Sequence, residues 1–400
     1  MNSNKLWNRN FIMLCLSSFF VFINFYSLMA TLPTYITDHL SGTQKQVGWA
    51  ITSFMVAAVL FRPIAGRLVD TIGRKKIVVP ALIVFALSTL LYFSITSFIL
   101  LLLLRFIHGM SFGMATTGNG TIASDLIPKD RKGEGLGYYT LSMNLAMVIG
   151  PFVGLLLTEH WNFKVLLMVL SVTTILSLVF GANIKLTKTV PDASHLTTKQ
   201  LQPAQGWRKY IEPSALPISI SAMLLALAYS GILTYVAGYA KHLGLGTVAS
   251  YFFVVYAIMI IFSRPITGKL FDRWGEHRII YPSLILYVIG LICLSQANSP
   301  FMLLLSAALV GLGMGTLTPS LQTIAIRHAP PHRIGLATAT FFLLFDTGFG
   351  IGSITLGRIS STFDERTMYF ISALIVVVGA LLYYVLHHRK QLQSHKSATQ

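Results

Sequence analysis

Twelve apolar stretches run through the chain, at about 9–36, 47–66, 77–96, 98–123, 136–158, 163–184, 214–240, 248–268, 279–296, 300–325, 336–357 and 367–388. Each is long enough to cross a bilayer as a helix, which takes about 18 or more apolar residues. Their continuity excludes β-barrel strands, which alternate apolar and polar residues. Nothing between them is long enough to be a soluble domain. Composition agrees. Of 400 residues, 54% are hydrophobic and 11% charged, against about 25% charged in a soluble domain; mean hydropathy is +0.68. The first stretch, from near Asn10 to near Pro33, is too long for a signal-peptide core and lacks a small-residue cleavage pattern, so it reads as a retained helix. The fold class that follows is an all-α polytopic membrane protein.

The formal charge is +17, which on a soluble face would suit a nucleic-acid partner. Its placement argues otherwise. With a cytoplasmic N-terminus, 22 of the 30 Lys and Arg fall in cytoplasmic segments; Lys45, Lys164, Lys241, Arg358 and Arg366 fall outside, and Arg62, Arg105 and Arg264 within helices. This is the positive-inside asymmetry of an inner or plasma membrane protein with both termini in the cytoplasm. The surplus also suits anionic lipid; no nucleic acid is expected. Cys15 and Cys293 lie in apolar stretches, without metal-ligand spacing or disulfide context, and read as packing residues.

The chain repeats itself. Residues 62–80 (RPIAGRLVDTIGRKKIVVP) and 264–282 (RPITGKLFDRWGEHRIIYP) match at 9 of 19 positions with an offset of 202. The same offset relates Gly109 to Gly311, Gly113 to Gly315, Arg131 to Arg333 and Gly150 to Gly352. A duplicated six-helix unit accounts for this, and parallel repeats are a transporter architecture with the substrate site near the midplane. The expected organisation is an N-terminal bundle over 1–184, a polar, basic cytoplasmic linker over 185–213, a C-terminal bundle over 214–388 and a cytoplasmic tail over 389–400.

Gly66-Arg67-Leu68-Val69-Asp70-Thr71-Ile72-Gly73-Arg74-Lys75-Lys76 follows the second stretch. It resembles the G-x-L-x-D-x-x-G-R-(K/R)-(K/R) loop of the major facilitator superfamily. A weaker copy, Gly268, Leu270, Asp272 and Gly275, follows the eighth, with Glu276 where the Arg should stand. The resemblance covers the whole chain and implies the twelve-helix fold of two pseudo-symmetric six-helix bundles. It also implies that Asp70 sits at the start of the eleventh helix, near 334–336, that Arg74 reaches Asp125, and that such contacts latch the inner side. Gly66 suits a close helix approach and Gly73 a tight turn.

The same resemblance extends to three helices. Arg105, in the fourth, looks like the membrane-embedded Arg that accompanies proton coupling, and an Arg at that depth is rarely without a role. His108 shares its face, and histidine is the side chain whose ordinary range lies near neutral pH. In the fifth, Gly150-Pro151-Phe152-Val153-Gly154 resembles the G-P-x-x-G motif of the drug:proton antiporter branch, though Ala146 and Leu155 replace flanking glycines. In the first, related exporters often place a carboxylate nine residues before the Pro of the Ala30–Pro33 stretch; here that residue is Asn24.

Of the 13 Asp and Glu, only Asp346 lies well inside an apolar stretch, with Asn144 as its repeat mate. A carboxylate there suits proton carriage, a counter-charge for a basic substrate, or a structural hydrogen bond. Asn24, Tyr26, Asn119, Tyr139, Asn144, Tyr229, Tyr235 and Gln322 are candidates to line a substrate cavity. There is no phosphate-binding G-x-x-x-x-G-K-(S/T) loop, H-E-x-x-H zinc motif or G-x-S-x-G elbow, so neither an enzyme nor a cofactor or metal is expected. The expected function is proton-coupled efflux of drugs or a small metabolite by alternating access, from a monomer, the superfamily's default. The alternatives are an exporter dedicated to one endogenous metabolite such as a metallophore, a nutrient importer or facilitator, and a non-transporting sensor.

Overall fold

The computed structural model describes residues 6–40, 44–186, 206–245 and 248–391. Among them the long elements are twelve helices: α1 (Arg9–His39), α2 (Gln44–Thr71), α3 (Arg74–Leu91), α4 (Phe98–Leu126), α5 (Lys132–His160), α6 (Phe163–Ala182), α7 (Leu216–His242), α8 (Ala249–Trp274), α9 (His277–Ser295), α10 (Pro300–Arg327), α11 (Ile334–Thr362) and α12 (Glu365–Tyr383). All twelve carry a stretch long and apolar enough to span a membrane, and the chain is a multi-pass membrane protein. Most helices overrun the apolar stretches that announce them. The extra turns are polar, because backbone hydrogen bonding continues after hydrophobicity ends at the headgroups. α12 does the reverse: it ends early and winds through a π turn, Tyr384–His388. Of the expected linker, 187–205 lies outside the described residues; its far end contains a 3-10 turn, Gly206–Lys209. Of the expected tail, 392–400 also lies outside them.

Local chemistry sets the ends. Ser97 and Ser299, again 202 apart, accept from the N–H of Leu100 and Met302 at 3.3 and 3.4 Å and cap α4 and α10. Gly73 and Gly275 turn the chain out of α2 and α8 with φ of 111° and 86°. Only glycine adopts such values without strain.

Contacts divide the chain into two compact units. The first comprises Met1–Pro128, Ser142–Glu212 and Pro330–Ala339; the second comprises Lys129–Leu141, Pro213–Ala329 and Thr340–Gln400. In the first, α4 packs on α2 and α3, and α6 on α1 and α3. In the second, α10 packs on α8 and α9, and α12 on α7 and α9. The two lists match helix for helix under the repeat. Lipid supplies no hydrophobic drive for these contacts, so close backbone approach at small residues carries them. A Cβ on Gly109 would sit 2.1 Å from the Phe54 carbonyl oxygen, and one on Gly311 2.8 Å from that of Tyr256.

Candidate functional site

Within the first unit, the end of α2 meets the start of α11. The first N–H groups of a helix have no partner inside it and carry its positive end. Asp70 meets two of them, accepting from Gly335 and Leu336, both at 2.9 Å. The approach depends on Gly66: a Cβ there would lie 2.5 Å from that of Ala339 and 2.7 Å from the Gly335 oxygen. Within the second unit, the end of α8 meets the start of α5 in the same way. Asp272 accepts from Gly133 and Glu134, both at 3.0 Å, and a Cβ on Gly268 would lie 2.8 Å from the Glu134 Cα. The motif copy that is weaker in sequence makes the same double cap.

The flanking charges break the symmetry. Arg74 Nε donates to Asp125 at 2.8 Å, with Asp70 3.9 Å away. In the second repeat the signs are exchanged: Glu276 stands at the position of Arg74, and Arg327 at that of Asp125. These two make no pair with each other. Arg327 Nη2 turns to Asp272 at 2.5 Å. Glu276 accepts from His387 and Gln391 beyond α12. Burial alone would raise its carboxyl, but those hydrogen bonds and the charges of His387 and His277 outweigh it and hold the group below its ordinary 4.5. Arg131 and Arg333, also repeat mates, diverge too: Arg131 pairs with Glu134 at 2.7 Å, and Arg333 pairs with Glu212 at the end of the linker. A cleft of about 240 Å³ at the α5–α8 corner is lined by Asp130, Arg131, Glu134, Lys269, Asp272 and Arg273.

Arg105 is 1% exposed. Its Nε donates to the Ala50 carbonyl at 3.2 Å, its Nη1 to the Tyr92 hydroxyl at 3.4 Å, and its guanidinium lies 4.3 Å from the centre of the Phe54 ring. The same hydroxyl lies 3.3 Å from His108 Nδ1, while Nε2 of that ring has no partner. Tyr92, which the sequence did not single out, therefore joins the two residues that it did. Gly150 and Gly154 face α1: Ser27 donates to the Gly150 carbonyl at 2.7 Å, and a Cβ on Gly154 would meet the Thr31 methyl at 3.1 Å. Pro151 lies inside α5 between them.

Asp346 is half-buried near the middle of α11, as is its mate Asn144 in α5. The cavity candidates divide. Asn24 and Asn119 are fully buried between helices, donating to Thr89 and Ser18 at 3.1 Å each. Tyr139 is fully buried and Tyr26 half-buried. Tyr235 donates to the Ser353 carbonyl at 2.6 Å. Tyr229 accepts from Tyr256 at 2.8 Å. Gln322 is buried with neither amide atom partnered.

These caps, turns and repeats define a secondary transporter fold, and similarity to known proteins agrees. The model of the Major Facilitator Superfamily matches residues 14–297 and 256–400; the chain belongs to this superfamily of membrane transporters. It is 26% identical over 408 residues to a multi-drug resistance efflux pump PmrA homolog of Lactococcus lactis, covering 98% of each chain. It is 24% identical over 407 residues to the multidrug resistance protein MdtG of Yersinia enterocolitica, covering 98% of this chain and 97% of that one. Its fold matches the crystal structure of the human organic anion transporter MFSD10 with a TM-score of 0.77 at 17% identity, over 94% of this chain and 98% of the other.

Proposed function

We propose that the chain exports small organic molecules in exchange for protons, by alternating access, as a monomer in the cell membrane with both termini in the cytoplasm. Asp346 carries this reading. Among the described residues it is the acidic group farthest from a helix end, and a carboxylate at that depth is retained for a purpose. It takes a proton on one side of the membrane and gives it up on the other as substrate binds. Arg105, joined to His108 through the Tyr92 hydroxyl, biases that exchange by its charge. The Asp70 and Asp272 caps hold the inner side shut in one state and release in the other. The work available is about 2.3 kcal/mol per charge per 100 mV.

Two features favour export over import: the Gly150-Pro151-Phe152-Val153-Gly154 motif, seated on α1, and relatives named for multidrug resistance and efflux. The test is ethidium flux in vesicles with an imposed proton gradient. Flux should rise with the gradient in wild type and lose that dependence in Asp346→Asn. Gradient-independent flux in wild type would refute proton coupling.

A further inference from the structure

Arg62 and Arg264 are repeat mates, buried to 3% and 2% exposure in α2 and α8. Their surroundings differ in a way the repeat does not require. Arg62 donates to Thr116 and Thr117 of α4 at 3.1 and 3.4 Å. Thr318 of α10 occupies the place of Thr116 and, like it, donates to the carbonyl four residues back, Met314 at 3.2 Å and Phe112 at 2.8 Å, yet Arg264 does not donate to Thr318. Arg264 Nη1 reaches to the hydroxyl of Thr140 on α5. The repeat mate of Thr140 is Phe342, so the first repeat offers no such hydroxyl.

Among the described residues nothing negative meets Arg264. Its Nε has no partner, and among the described residues no carboxylate pairs with it. Its electrostatic neighbours are the hydroxyls of Tyr256 and Tyr229. The neighbouring α10 carries Gln322, whose amide nitrogen and oxygen are both buried and unpartnered. A guanidinium deep in a membrane helix is costly unless it meets an opposite charge. Thr140 donates its own proton to the Leu136 carbonyl at 2.8 Å, leaving only its oxygen to Arg264. That oxygen is a neutral stand-in for an anion.

We infer that Arg264 is an anion-binding group for one class of transported compound, organic molecules bearing a carboxylate. The carboxylate displaces the Thr140 hydroxyl from Nη1 and meets Nη1 and Nη2 together, the forked geometry that guanidinium favours. This rests on the reading that the chain carries small molecules, but not on the direction or the coupling ion.

The test is equilibrium binding to the purified, detergent-solubilised chain at one pH and without a gradient. Fluorescence polarisation of carboxyfluorescein and of ethidium gives the two affinities. Wild type should bind carboxyfluorescein, and Arg264→Gln should weaken it by about tenfold or more, the loss typical of one charged hydrogen-bonding partner, with ethidium unchanged. Thr140→Val removes the competing hydroxyl and should tighten carboxyfluorescein severalfold. A contact that merely joins α5 to α8 would leave binding unmoved in Thr140→Val, which decides the matter if Arg264→Gln does not fold. Equal carboxyfluorescein affinity in wild type and Arg264→Gln, or none in wild type, would overturn the inference. Because no gradient is applied, failure of proton coupling leaves this result unaffected.

Discussion

Asp70 and Asp272 lie 202 residues apart and each spans two backbone N–H groups at the start of another helix, at 2.9 and 2.9 Å for one and 3.0 and 3.0 Å for the other. A carboxylate there satisfies two orphaned donors and faces the helix dipole. Asparagine in its place keeps one acceptor and loses the charge. Asp70→Asn should therefore lower stability by about 1 kcal/mol. Asp272→Asn should cost more, because it also strands Arg327. Thermal unfolding in detergent gives the order, and an equal or reversed order would contradict the geometry.

The exchanged charges make a sharper test. Arg74 and Asp125 touch; their repeat mates Glu276 and Arg327 have found other partners. A double-mutant cycle on Arg74 and Asp125 should return a coupling of about 0.5–1 kcal/mol, as for partly exposed pairs. The same cycle on Glu276 and Arg327 should return nothing measurable. Significant coupling in the second cycle would mean that the two do pair.

Glu276 sets a pH dependence. Its carboxyl is held below its ordinary 4.5 because hydrogen bonds from His387 and Gln391, with neighbouring positive charge, outweigh the effect of burial. A carboxyl lowered on folding contributes stability that is full above its unfolded value and fades as pH falls through the folded one. Wild type should thus lose melting temperature on acidification below about pH 4.5, and Glu276→Gln should lose less. Parallel curves for the two proteins would refute the assignment.

Gly150 tests the α1–α5 contact. An added Cβ would lie 2.9 Å from that of Tyr26 and 3.2 Å from the Ile23 carbonyl. Gly150→Ala should cost about 1–3 kcal/mol, the range for overpacking. Gly238→Ala, where nothing lies within 4 Å, should cost far less. Both are read by unfolding in detergent, and a similar cost at the two sites would contradict the packing.

The helices and the repeat were legible in the sequence because each rests on a local pattern, apolar length or a fixed offset; the contact of Asp70 with α11 was implied only by resemblance to the superfamily's loop. The placement of Asp272 on α5 followed from the repeat only once the helix ends were in view. Side-chain direction was the harder matter. Asn24 and Asn119, read as cavity candidates, donate to Thr89 and Ser18 between helices, while the side-chain carbonyl oxygen of each is buried without a partner; neither fact is marked in the sequence. Tyr92 escaped notice since nothing in Leu90-Leu91-Tyr92 marks a hydroxyl that bridges Arg105 and His108. The turn of Glu276 toward His387 had one signal, the acidic residue at a basic motif position. Arg264 had another, its place within an apolar stretch, but the sequence does not say that it lacks a carboxylate.

The central claim is exchange of substrate for a proton carried by Asp346. The direct measurement is proton release from the purified, detergent-solubilised protein in weak buffer as ethidium is added, comparing wild type with Asp346→Asn. Release from wild type and none from the variant is the predicted result. Ethidium binding without release in either, or equal release in both, would contradict it.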